Sequence, residues 1–149
     1  MSFASAITVL ETHLGTASAA ATVGFTIQGG DPGLPQRKTA CWSFAGAGDN
    51  PLIAETLTDH PFGEFVNVAF YWPVGTRAGA PARDLEFEVR AVTRAMIGAL
   101  EGDRKLGGNC EALTINDADA GWLIAGESAW RVVTIPLVLG FTDEEPISP

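Results

Sequence analysis

The sequence is poor in charge and in reactive side chains. Of its 149 residues only 18% are charged, and it has two cysteines, two histidines, two methionines and a single tyrosine. Nine basic residues are outnumbered by eighteen acidic ones, which gives a net charge of −9. Such a charge repels nucleic acid and anionic membranes, so it argues against a protein that grips either. A surface with few charges also suggests that part of it is covered by other subunits.

The two cysteines, Cys41 and Cys110, are far apart, and no CxxC or Cys/His cluster surrounds either. This spacing predicts two small core residues in place of a disulfide or metal site. No run approaches ~18 uninterrupted apolar residues, so we expect no membrane span. The first residues lack the basic and apolar regions of a signal peptide. We therefore expect an intracellular protein that needs no metal and no cofactor.

None of the enzyme motifs considered for this sequence is complete. The segment 46–49 begins like a dinucleotide fingerprint but lacks its third glycine, and no Gly-Lys-Ser/Thr triplet occurs. Residues 116–127 have Gly and Glu at the sixth and twelfth positions of a calcium loop, but alanine at the third and fifth, so a hairpin is favoured. Cys41 with Asp59 and His60 would form a nucleophile set only if the fold assembled them. We predict no catalytic residues and no enzyme activity.

Two stretches have helical periodicity. Residues 2–14 place apolar side chains on one face, with Ser2 as the cap and Gly15 as the end. His13 in this helix is expected to be structural or solvated. Residues 82–102 form the clearer helix, with acidic residues in its first turns and basic residues just beyond its end. Leu106-Gly107-Gly108 then predicts a compact reversal of the chain.

Strands are predicted at 22–28, 38–45, 65–73, 110–116 and 130–141. Pro73 is expected to close the third, and Pro136 predicts an edge strand or a bulge in the last. The segment 46–63 resembles a loop with a short helical turn near 52–57, and 117–121 resembles a turn. Together these elements predict an α+β fold, in which two main helices pack on one face of a mixed or antiparallel sheet. We expect one domain over 1–149, with an acidic tail from about 142 that is mobile or docked on a partner.

The four tryptophans leave two functions open. Trp122 and Trp130 flank a hairpin candidate, and either core packing or a protein interface explains them. Trp42 and Trp72 lie on predicted strands, where a pocket beneath them would suit a small dimeric ligand-binding protein or enzyme. A generic dimeric interaction domain is a third hypothesis for the function.

The second half of the chain resembles the tail terminator, or tail completion, proteins of long-tailed bacteriophages. The likeness lies in the helix at 83–102, the Leu-Gly-Gly step and strand at 106–115, and the final segment 130–139. That segment follows the pattern aromatic, x, Val, x, x, Ile, Pro, Leu. The helix at 2–14 and the strand at 65–73 occur in the family's order, whereas the segment 29–63 has no counterpart.

The resemblance implies a structural virion protein that forms a hexameric ring at the head-proximal end of the tail tube. Such a ring stops tube polymerisation and joins the tail to the head–tail connector or stopper protein in the neck. Genomic DNA would pass through its lumen without specific binding, and assembly would take place in the host cytoplasm. The long last strand could offer an edge to a neighbouring subunit. The residues predicted at subunit or partner interfaces are Trp122, Trp130, Leu139, Phe141, Asp143, Glu144 and Arg77.

Overall fold

A computed structural model describes residues 2–21, 24–48, 62–76 and 83–141 of the chain. Within these ranges, two helices and six strands follow one another in the order α1 (Phe3–Ser18), β1 (Thr26–Gly29), β2 (Thr39–Gly48), β3 (Phe62–Thr76), α2 (Arg83–Glu101), β4 (Ala112–Ile115), β5 (Asp119–Ala125) and β6 (Ser128–Phe141). The strands form one mixed sheet. The predicted α+β class is therefore confirmed.

The sheet is built around the long antiparallel pair of β3 and β6, whose register runs from Phe62 opposite Phe141 to Thr76 opposite Ser128. On one side of this pair lie β2 and then β1, which is the only parallel neighbour among the described strands. On the other side, β4 pairs with the C-terminal half of β6 and β5 with its N-terminal half. The last strand is thus interior, and the edge position suggested by Pro136 is wrong.

A gap between the neighbours of β6 explains how an interior strand tolerates this proline. The backbone N–H of Asn116 donates to the Pro136 carbonyl at 2.9 Å. The N–H and C=O of one strand residue point to the same side, so the missing N–H of Pro136 faces the same neighbour. That neighbour is the stretch after β4 ends at Ile115 and before β5 begins at Asp119. No ladder hydrogen bond is lost there.

The core lies between the helices and one face of the sheet. Alternate residues of the two central strands point into it and are at most 1% exposed: Val66, Val68, Phe70 and Trp72 from β3, and Val133, Ile135, Leu137, Leu139 and Phe141 from β6. The helices contribute Ile7, Leu10 and Leu14 from α1 and Val89, Val92, Met96 and Leu100 from α2. Burial of each large apolar side chain stabilises the fold by about 1.5–3 kcal/mol. The periodicity of two and of 3.6 residues therefore identified the buried faces.

Several predicted boundaries are corrected. Helix α1 continues through Gly15 to Ser18, while Ser2 caps it as expected by accepting from the Ser5 N–H at 3.1 Å. Strand β2 extends through Gly48, because a bulge between Phe44 and Gly46 lets the pairing with β3 continue. The first strand starts at Thr26, and the turn predicted at 52–57 lies outside the described residues.

The third strand is also longer than predicted, and β5 was not predicted as a strand. Pro73 does not close β3, which pairs with β6 as far as Thr76 after a register shift between Pro73 and Gly75. Asp119–Ala125 is a strand although its first residues were predicted as a turn. Gly126, with φ 62°, begins the two-residue loop that joins this strand to β6. The predicted hairpin is present, and its first arm starts earlier.

The reversal after α2 has the predicted left-handed backbone. Leu106, Gly107 and Gly108 have φ values of 46°, 69° and 86°. The Asp103 carboxylate accepts from the Gly107 N–H at 2.8 Å and contacts His13 Nε2 at 2.8 Å. These two bonds lower the pKa of Asp103. His13 therefore has a structural position, in which it connects α1 to this turn.

Candidate functional site

Three of the seven predicted interface residues are buried within the described part of the chain. Leu139 and Phe141 are completely buried on the helix-facing side of β6. Trp130 is 7% exposed, and its indole N–H donates to the Pro35 carbonyl at 2.7 Å. These three are buried inside the subunit, because β6 is an interior strand and other parts of the chain pack against their side chains, which corrects their assignment to an interface. Arg77, Asp143 and Glu144 lie outside the described residues.

Trp122 keeps an exposed indole and is part of an apolar surface on β5. Trp122 and Ile124 are 44% and 50% exposed, and residues two apart on a strand share a face. We call these two residues the β5 patch. The Arg131 guanidinium lies 5.3 Å from the Trp122 ring centroid, a cation–π distance that holds the indole in place. In the described part of the chain β5 pairs with β6 alone, so this patch lies at the margin of the sheet.

A second apolar surface lies at the opposite side of the sheet. Phe44 on β2 is 55% exposed, and its ring meets that of Phe3 edge-to-face at a centroid distance of 6.1 Å. We call Phe44 with Phe3 the β2 patch. The central pair of β3 and β6 separates β2 from β5. By register, Phe44 aligns with Val66, and Trp122 aligns with Arg131 opposite Trp72, so both patches lie on the helix-bearing side.

Between α2 and β5 lies an open groove of about 320 Å³. Arg90 and Arg94 stand along its helical wall, and Ala118, Ala120 and Val133 line the opposite side. We call this space the arginine groove. Sequence reasoning missed it, although arginines four residues apart on the polar side of a helix are a visible signal. What the sequence does not show is that β5 passes beside them.

An ion pair closes one end of the arginine groove. Arg131 donates from Nε and Nη2 to the two carboxylate oxygens of Glu86, at 2.9 and 2.8 Å, and from Nη1 to the Gly121 carbonyl at 2.9 Å. This bidentate contact lowers the pKa of Glu86 and raises that of Arg131. The side chain of Arg131 is 14% exposed. The Glu86–Arg131 ion pair thus connects the β5–β6 hairpin to α2.

Arg90 and Arg94 differ from Arg131 in having no partner among the described residues. Among the described residues, no carboxylate or carbonyl forms an ion pair or hydrogen bond with either guanidinium. Both side chains are exposed. In a chain with only nine basic residues, two neighbouring arginines that have no ion-pair partner in the described ranges form a local positive site on an acidic molecule.

The indoles that suggested a ligand pocket serve packing. The Trp42 N–H donates to Glu11 Oε2 at 2.9 Å, and its ring meets Phe3 edge-to-face. Trp72 is 1% exposed and donates to Glu88 Oε2 at 2.7 Å, an oxygen that Lys38 Nζ also contacts at 2.6 Å. Both indoles are therefore satisfied by protein groups.

The described residues offer little for catalysis. Burial is the main factor that raises the pKa of the Cys41 and Cys110 thiols, to about 11 and about 12, so neither is a thiolate nucleophile at neutral pH. Asp59 and His60 lie outside the described residues. In the described ranges no three His, Cys, Asp or Glu side chains converge as metal ligands. Neither α1 nor α2 combines the length and apolar character that crossing a bilayer requires.

The fold and these surfaces define a small α+β protein whose exposed features include two apolar patches and an arginine-lined groove. A comparison with protein-family models finds no match, and no curated protein is significantly similar in sequence.

Proposed function

We propose that the chain is a structural virion protein that forms a ring at the head-proximal end of a bacteriophage tail tube. There it stops tube polymerisation and joins the tail to the connector or stopper protein of the neck. The proposal is supported by the resemblance of segments 83–115 and 130–139 to tail terminator proteins. In the fold these segments are α2, the left-handed reversal, β4 and β6.

The observation that carries the proposal is the pair of unlike apolar patches on opposite sides of the central β3–β6 pair. A closed ring of identical subunits joins two different surfaces of each subunit, whereas a twofold dimer joins one surface to itself. The β2 patch and the β5 patch differ in composition and lie on either side of the β3–β6 pair. Aromatic side chains such as Phe44 and Trp122 are typical anchors of protein interfaces.

The charge of the chain fits the passage of DNA through such a ring. Each subunit has a net charge of −9, so six subunits would surround the duplex with a strongly acidic assembly. Phosphates are repelled by this field, and DNA therefore moves through the lumen without being held.

The alternative of a small ligand-binding protein or enzyme has less support. It relied on a pocket beneath Trp42 and Trp72, and both indoles hydrogen-bond to protein carboxylates and pack against aromatic rings. We therefore propose a structural role without catalysis.

Light scattering after size exclusion, followed by negative-stain microscopy, tests the ring. Six subunits of 15.6 kDa give about 94 kDa with a central hole. Phe44→Ser and Trp122→Ser should each lower this mass, while Leu34→Ser, which alters a side chain 54% exposed outside both patches, should leave it unchanged. A dimer of about 31 kDa that survives both patch substitutions would refute the ring.

Mixing the two patch variants tests the head-to-tail arrangement. Each variant alone should be monomeric, but Phe44→Ser retains its β5 patch and Trp122→Ser retains its β2 patch. A mixture should therefore form one intact contact and stop at a dimer. If the mixture remains monomeric while both variants are folded, the two patches do not meet each other.

The effect on tube growth tests the role in the tail. Substoichiometric wild-type protein should shorten the tubes formed by the tail tube protein of the same phage, as measured by sedimentation and microscopy. Unchanged tube length in the presence of ring-forming protein would refute the terminator role.

A further inference from the structure

The arginine groove is a candidate docking surface that the proposed ring contacts leave unused. Arg90 and Arg94 lie one helical turn apart on its wall, exposed and unpaired within the described chain. Asp117 and Asp119 flank Ala118 on the opposite side, yet neither forms an ion pair with the arginines in the described part of the chain. The positive charge of the groove is therefore available to a ligand.

The shape and chemistry of the groove suit an acidic peptide. Its volume of about 320 Å³ accommodates a few extended residues, and the alanines opposite the arginines leave room for a backbone. Two guanidiniums one turn apart present fork-shaped donors, which match carboxylates in geometry. The Glu86–Arg131 pair in the same groove is an example of this contact.

The chain itself contains such a peptide. The segment Thr142–Pro149 contains three consecutive acidic residues, Asp143, Glu144 and Glu145, with no basic residue among its eight. Three negative charges opposite two unpaired arginines are complementary in sign. A chain of net charge −9 whose described residues leave two arginines of one groove without an ion pair fits a contact of this kind.

The reach of this segment points to a neighbouring molecule. Val133, in the groove, stands eight residues before Phe141 on β6, which corresponds to ~26 Å at ~3.3 Å per residue. Glu145 is four residues beyond Phe141, and four extended residues span at most ~14 Å. Asp143 and Glu144 follow Phe141 by only two and three residues, at most ~7 and ~11 Å, so they fall short of this part of the groove in their own subunit even with their side chains extended. We infer that Arg90 and Arg94 bind the acidic segment Asp143–Glu145 of a second copy of the chain.

This contact rests on the self-assembly that we propose for the chain, and it would add a polar link between adjacent subunits. It also predicts that assembly weakens with salt, because exposed ion pairs are screened at high ionic strength. The apolar patches would remain in contact under the same conditions.

Peptide binding measures the contact independently of the ring. The probe is a fluorescent Thr142–Pro149 peptide, titrated into the full-length chain that carries Asp143→Lys, Glu144→Lys and Glu145→Lys so that its own tail does not compete. Adding Arg90→Glu and Arg94→Glu should weaken binding at least about tenfold, which corresponds to ~1.4 kcal/mol. Arg37→Glu with Lys105→Glu, the same charge change at exposed sites outside the groove, should leave it within about twofold.

Charge exchange makes the test reciprocal. The chain with Glu at 90 and 94 should bind a peptide in which lysines replace the acidic triplet, and the full-length chain with both exchanges should regain the assembly that each exchange alone reduces. Equal losses in groove and control variants, or no peptide binding at all, would overturn the inference. Groove-dependent binding of short single-stranded DNA in place of the peptide would also overturn it.

The outcomes separate this inference from the proposed function. Rings that form without any peptide binding leave the terminator proposal standing and refute the groove contact. Peptide binding that depends on the groove, in a protein that never forms rings, supports the contact and refutes the ring.

Discussion

The left-handed reversal after α2 leads to a prediction about stability. Replacing glycine by alanine should have opposite effects on the free energy of unfolding at Gly107, in the reversal, and at Gly98, in the helix. Gly107 has φ +69°, and a Cβ built on it would lie 3.4 Å from Val9 Cγ2. Gly98 lies within α2, and a Cβ there would meet no atom within 4 Å. Alanine should therefore destabilise the protein at 107 and stabilise it at 98.

The magnitudes follow from the backbone. An L-residue in the left-handed region costs about 1–2 kcal/mol, and the contact with Val9 adds little, since 3.4 Å is close to ordinary van der Waals distance. In a helix interior, alanine is more favourable than glycine by roughly 0.5–1 kcal/mol. For a chain of this size 1 kcal/mol shifts Tm by about 2–4 °C. Gly107→Ala should thus lower Tm by ~2–8 °C, and Gly98→Ala should raise it by ~1–4 °C.

Urea unfolding monitored by circular dichroism, with a thermal scan of each variant, measures both effects. A conserved m-value would show that the substitutions change stability and leave the extent of unfolding unaltered. If Gly107→Ala proves as stable as the wild type, the reversal does not need a left-handed residue at this position. If Gly98→Ala destabilises, that exposed face of α2 is in contact with something the isolated subunit lacks.

Three further predictions concern the core and the acid response. Gly29→Ala should cost about 1–3 kcal/mol in urea unfolding, because its Cβ would lie 2.8 Å from Cζ2 of Trp42; an unchanged midpoint would mean that the indole moves freely. Asp103 has a folded pKa below its ordinary 3.8, so its contribution is complete above that value and disappears as pH falls through the folded pKa. Wild type should therefore exceed Asp103→Asn in stability at neutral pH, with a difference that vanishes in strong acid; a difference independent of pH would contradict this. Cys41 and Cys110, with raised pKa values, should react with a thiol reagent only on unfolding, and rapid labelling of the native protein would contradict their burial.

The sequence was sufficient for the features that depend on local chemistry. Apolar residues at helical spacing defined the buried faces of both helices, and alternation defined those of β3 and β6, because burial on one face fixes the period of the pattern. The glycines after Leu106 predicted the left-handed reversal, since few other residues adopt that backbone. These signals are read within a few residues, so they needed no knowledge of the fold.

The wrong predictions concern features that depend on which strands lie next to one another in the sheet. Pro73 and Pro136 each stand inside a strand, because a register shift follows the first and a gap between β4 and β5 faces the second. Leu139 and Phe141 resembled residues at an exposed strand end until β6 proved to be interior. A sequence shows that a proline lacks a backbone N–H, but it does not show whether a carbonyl of a neighbouring strand faces that position.

The surfaces that matter for assembly were decided only by the tertiary structure. Trp122 and Trp130 were equivalent in sequence, yet Pro35 covers one and the other remains 44% exposed at the sheet margin. Arg90 and Arg94 form a groove only because β5 passes beside α2, anchored by the Glu86–Arg131 pair. The sequence alone determined the class of fold, since periodicity is local. The exposure of these residues depended on contacts between distant segments, which only the folded chain brings together.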